Sequence, residues 1–83
     1  MAGGQILEGV LGYVVRSIVD EPDQVSVTMI QQGPDEVLAE VRAAKKDMGR
    51  VIGRRGRVAR AIRVVAQVAA DEEGISAVVD IVD

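Results

Sequence analysis

The sequence predicts an α+β domain in which helices cover one face of a three-stranded mixed sheet. Two stretches carry apolar residues at helical spacing, three short runs alternate as strands do, and breakers at Pro22, Gly33–Pro34, Gly53–Gly56 and Gly74 separate them. The order is helix, strand, strand, helix, helix, strand. Over 83 residues this reads as one domain, residues 1–83.

Each element has its own warrant. From Ile6 to Val19 apolar pairs recur four residues apart (Ile6 and Leu7, Val10 and Leu11, Val14 and Val15, Ile18 and Val19), a broad stripe on one side of a helix. Pro22 ends it within "DEPDQ". "VSVTMI" then alternates and is largely β-branched, a strand from Val25 to Gln31. "QQGPDE" supplies a hairpin connection, and Val37, Ala39, Val41 and Ala43 mark a second strand that pairs antiparallel with the first. Residues 45–52 form a short helix closed by Gly53. Beyond Gly56, the positions Val58, Ala61, Ile62, Val65, Val68 and Ala69 mark a long helix to about Glu73, which Gly74 ends as a left-handed cap. "ISAVVDIV" is the third strand, with Ile75, Ala77, Val79 and Ile81 on one face. A right-handed crossover through the two helices lets it lie beside and parallel to the second strand.

Composition narrows the chemistry. With no cysteine and no histidine, disulfides, thiol nucleophiles, imidazole bases and the usual zinc sites are absent. The hydroxyls of Tyr13, Ser17, Ser26, Thr28 and Ser76 have no activating base nearby in sequence, so no catalytic residue, no metal site and no cofactor is expected. Residues 71–73, "DEE", with Asp80 and Asp83, read as solvation of helix and strand ends. Glu8 and Arg16 interrupt the first apolar stretch too soon for a membrane span, and "MAGGQILEGV" has no basic leader, which points to the cytoplasm.

Net charge is −3, but its distribution is uneven. Residues 42–63 hold nine bases against one acid, Asp47, for a local charge of +8; the other sixty-one hold Arg16 against twelve acids, for −11. Screening over roughly 8 Å lets such a basic patch act locally, so a polyanion is the expected partner. At the centre of the patch is "MGRVIGRRGRVARAIR", residues 48–63. A bare G-x-x-G carries little information, and "GVLG" at 9–12 also fits; its apolar middle lies in the helical stripe, where the glycines are expected to let another element approach. Gly53–Gly56 differs because it joins two helices, holds Arg54 and Arg55, and opens a helix whose free N–H groups and positive dipole end suit a phosphate. It lacks the lysine and hydroxyl of a nucleotide-binding P-loop.

This stretch resembles the KH-domain signature, in which an aliphatic pair precedes a G-x-x-G loop between two helices and an amphipathic helix follows. The element order is similar to the bacterial type II KH arrangement over nearly the whole chain, and a chain of this length resembles the small bacterial KhpA family. The resemblance implies a regulatory, RNA chaperone-like protein that clamps single-stranded RNA, forms a homodimer, and pairs with a larger Jag-type KH protein. It assigns the sugar-phosphate backbone to Gly53, Arg54, Arg55 and Gly56, the apolar floor to Ile52, the opposite wall to the region of Val41 and Arg42, and rim charges to Arg50, Arg57 and Arg60. Lys45 and Lys46 solvate the entry to the short helix. The chain has no Phe or Trp and only Tyr13, so base stacking, about 1–3 kcal/mol per base, is essentially missing and binding is expected to be weak and salt-sensitive. Ala59, Ala66 and Ala70 form a small-residue flank that admits a neighbouring helix. Two other readings stand beside RNA binding: a helix-turn-helix reader of duplex DNA, and a pure protein-interaction module.

Overall fold

A computed structural model describes residues 3–82. Helix α1 (Gln5–Ile18) is followed by strands β1 (Ser26–Gly33) and β2 (Glu36–Arg42), helices α2 (Met48–Ile52) and α3 (Arg57–Glu73), and strand β3 (Ser76–Ile81). Single 3₁₀ turns at Pro22–Gln24, Lys45–Asp47 and Arg54–Gly56 join them. The order is the one the sequence predicts. β1 starts one residue later than expected and runs two residues further, through an irregularity between Gln31 and Gly33. No helix among the described residues is long and apolar enough to cross a membrane.

The sheet order is β1-β2-β3: β2 is central, antiparallel to β1 and parallel to β3. Parallel pairing requires a crossover, and α2 and α3 supply it on the same face as α1. The core is aliphatic. Leu7, Leu11 and Val15 of α1, Val37, Ala39 and Val41 of β2, and Val51, Ile62 and Val79 are buried together.

α3 turns a different side inward from the one its valines suggest. Ala59, Ile62, Ala66, Ala69 and Ala70 are buried, whereas Ala61, Val64, Val65 and Val68 are exposed. Of the alanine flank, Ala66 and Ala70 join the core that α1 shares, so the helix packed against α3 there is α1 of the same chain. Small side chains let two helices and a sheet meet without aromatic spacers; the bulkier valines are left on the opposite side of α3. The glycines of α1 do not serve such an approach. A Cβ at Gly9 would meet nothing, and one at Gly12 would meet the guanidinium of Arg16 on its own helix.

Two carboxylates tie distant segments. Glu73, expected to solvate a helix end, instead accepts the N–H groups of Gly4 and Leu7, both at 2.9 Å, and so caps α1 where Gly4 has no side chain to do it. The N–H of Leu7 foremost, with those of Gly4, Ile6 and Gln5, holds this carboxyl below its ordinary value against partial desolvation. Asp47 is the one buried charged residue among those described, and accepts the N–H groups of Asp20 (3.2 Å) and Glu21 (3.1 Å).

Candidate nucleic-acid interface

The loop between α2 and α3 is built on backbone that only glycine adopts easily. Gly53 (φ 76°, ψ 168°) ends α2 by donating its N–H to Gly49 at 2.8 Å; a Cβ there would come within 2.4 Å of Val58 Cγ2 and 2.8 Å of the Val58 nitrogen. Gly56 (φ 73°) is left-handed too, but a Cβ on it would meet nothing. Between them Arg55 is left-handed at φ 58°, the one non-glycine residue with positive φ among those described. That conformation costs an L-residue about 1–2 kcal/mol. α3 then starts at Arg57, whose N–H donates to the Arg54 carbonyl, and no side chain caps the N–H groups that follow in its first turn, which open beside the loop.

Arg54, Arg55, Arg57 and Arg60 are exposed, and among the described residues none of their side chains makes a hydrogen bond or ion pair. Ile52, at the end of α2, is 37% exposed beside Gly53. These residues therefore gather with the two glycines at the junction of α2 and α3. Arg50 does not share their freedom: its guanidinium binds Asp20 at 2.8 Å, which lowers the Asp20 pKa and raises its own, and Lys46 is bound to Glu21 at 3.2 Å.

Val41 and Arg42, which the resemblance assigns to the opposite wall, do not reach the surface together. β2 is the central strand, with a neighbour on each side, and Val41 has no accessible surface. Alternation turns Arg42 to the uncovered face of the sheet, where it reaches Glu40 at 3.4 Å. A concave surface lies between α3 and the edge strand β3, a cleft of about 240 Å³ lined by Arg63, Ala66, Gln67, Ala77, Val78 and Val79. Ser76 and Val82 donate their N–H groups to Asp35 and Val41, so the backbone of Ala77, Val79 and Ile81 turns to the open edge. Arg63 Nε donates to the Val79 carbonyl at 3.2 Å and bridges the cleft. The sequence signal for Arg63 was its spacing: Arg57, Arg60 and Arg63 recur every third residue, and Arg60, Arg63 and Gln67 share a flank of α3.

The KhpA/KhpB KH-domain family matches residues 8–81, nearly the whole described chain and the loop with it. The chain belongs to that family. Its three helices and three-stranded mixed sheet are the type II KH fold. Its relatives include the RNA-binding protein KhpA of Leifsonia xyli, 46% identical over 94% of this chain and 99% of the relative. KhpA of Clostridium acetobutylicum is 40% identical over 92% and 100%, and KhpA of Chlamydia trachomatis 32% over 88% and 92%. No solved structure matches.

Proposed function

We propose that this KhpA/KhpB-family chain binds single-stranded RNA, with the sugar-phosphate backbone held on Gly53–Gly56 by Arg54 and Arg55 and by the open N–H groups of α3. Arg57 and Arg60 extend the basic surface, Ile52 is the apolar floor, and bases lie toward the α3–β3 cleft. The observation that carries this reading is the strained Arg55 among four arginines whose side chains have no partner among the described residues: strain and unpaired charge persist together where a ligand uses them. The relatives named as RNA-binding proteins support it. The role is regulatory and chaperone-like, in the cytoplasm, because a platform without stacking aromatics binds weakly and exchanges readily. Doubling the platform offsets this weakness. Val64, Val65 and Val68 project from the side of α3 opposite the core, and this face is the dimer contact, with a second copy or with a larger Jag-type KH protein.

The test is binding of labelled single-stranded RNA, with duplex DNA as control, across a salt series. Arg54→Asp with Arg55→Asp keeps the fold by circular dichroism, abolishes RNA binding, and lowers the salt slope by about 0.7 per lost contact. Val65→Glu halves the mass in sedimentation and weakens RNA binding without touching the loop. Duplex preference favours a helix-turn-helix reader instead, and RNA binding indifferent to the loop favours an interaction module.

A further inference from the structure

The face of the sheet opposite the helices is uncovered, and its side chains are arranged in rows. Ile30, Leu38 and Val78 are register partners across β1, β2 and β3, so they stand side by side in one aliphatic row. Val78 is 61% exposed and Ile30 37%. Two residues along in one direction, Glu40 and Asp80 are register partners on adjacent strands; in the other direction lies Glu36. Like charges at paired positions on neighbouring strands are unfavourable, and the only base on this face, Arg42, reaches Glu40 from 3.4 Å and leaves Asp80 unmatched among the described residues. The row is thus bracketed by carboxylates on both sides, on the face that carries none of the arginines of the loop.

We infer that this face docks a protein helix whose apolar stripe is flanked by lysine or arginine. Charge selects the occupant. A nucleic acid is repelled by three carboxylates, whereas a basic helix relieves the Glu40–Asp80 repulsion that the free domain carries. Size agrees: three strands at 4.7–4.9 Å put about 10 Å between β1 and β3, so a helix of roughly 10 Å diameter laid along the row makes about two turns of contact. Side chains on its two flanks then reach Glu40 and Asp80 on one side and Glu36 on the other. The contact is small, in the range of a transient regulatory partner rather than a permanent subunit.

The experiment titrates the full chain into a fluorescently labelled helical peptide with a leucine stripe flanked by lysines, and into its glutamate counterpart. The lysine peptide binds and the glutamate peptide does not. Glu40→Gln with Asp80→Asn weakens binding about tenfold, equivalent to about 1.4 kcal/mol, while the melting temperature of the free protein holds or rises. Val78→Thr, which keeps the β-branched shape, weakens it as well. Asp23→Asn with Glu72→Gln removes the same charge elsewhere and leaves binding unchanged, as does Arg54→Asp with Arg55→Asp, so loss of the RNA reading leaves this one standing. Equal weakening by the Asp23/Glu72 pair, binding of the glutamate peptide, or no effect of the face variants overturns the proposal. A lowered mass of the free protein in those variants also overturns it, by assigning the face to a second copy.

Discussion

At the start of α2, Asp47 is buried and holds two backbone N–H groups of the segment after α1, while Lys46 and Arg50 reach the acids Glu21 and Asp20 of that same segment. At its end, five residues on, the chain turns through Gly53, Arg55 and Gly56 in left-handed or glycine-only backbone, and its arginines have no partner among the described residues. One short helix thus joins an anchored end to a free one. The anchored end explains how the free one persists: a five-residue helix has too little hydrogen bonding of its own to hold a strained loop in place, so the loop is positioned by what its other end is tied to.

Breaking the anchor has the largest expected effect. Asp47→Ala removes the buried carboxylate that accepts the N–H groups of Asp20 and Glu21 and lowers stability by about 3 kcal/mol in urea unfolding. RNA affinity of the remaining folded protein falls too, because the loop loses its support. Gly53→Ala attacks the free end directly. Its methyl group meets the Val58 nitrogen at φ 76°, so about 2 kcal/mol is lost and RNA binding with it.

Arg55→Gly sharpens the comparison because its two readouts part company. Releasing the left-handed side chain gains about 1–2 kcal/mol, and the freer unfolded chain takes back 0.5–1, so stability rises by about 0.5 kcal/mol. RNA binding weakens nonetheless, by one charge. A variant that loses stability shows that Arg55 is held by the fold rather than kept for a ligand.

The smallest effect at neutral pH is expected at the cap of α1. The Glu73 carboxyl has its folded pKa below the ordinary 4.5, chiefly through the N–H of Leu7, so its contribution is full above that value and is lost as pH falls through the lower folded one. Glu73→Gln therefore melts slightly below the wild type at pH 7, and the two curves converge as pH falls below the ordinary carboxylate range, where the carboxyl of the wild type protonates.

These contrasts also separate what was legible in the sequence from what was not. The α1 stripe, the strand alternation, the glycine loop and the parallel placement of β3 depend on local spacing and on handedness, and each was readable. The inner side of α3 was not. Its sequence has an alanine stripe and a valine stripe, and hydrophobicity favours the valines; what places the alanines inside is the close approach of α1, a distance no local pattern records. Arg50 looked like a rim charge because Asp20 is 30 residues away. The full burial of Val41 is likewise not legible, because a single strand does not disclose that it will be flanked on both sides. Arg63 shares the spacing of Arg57 and Arg60, but its place across a cleft is not legible in the sequence, since that cleft exists only once β3 has docked as the edge.

The cap that Glu73 places on α1 also sets an order of events during synthesis. It joins residues 66 to 69 positions apart, and β2, the middle of the sheet, likewise waits for residues 76–81 to supply its second neighbour. While those residues are still inside the ribosome, α1 has an uncapped first turn and β2 an open edge, although the arginine loop has already been made. The nascent chain thus carries its arginine-rich segment past ribosomal RNA before it has the fold that orients it, so any contact made there rests on charge alone and not on the geometry of the finished loop.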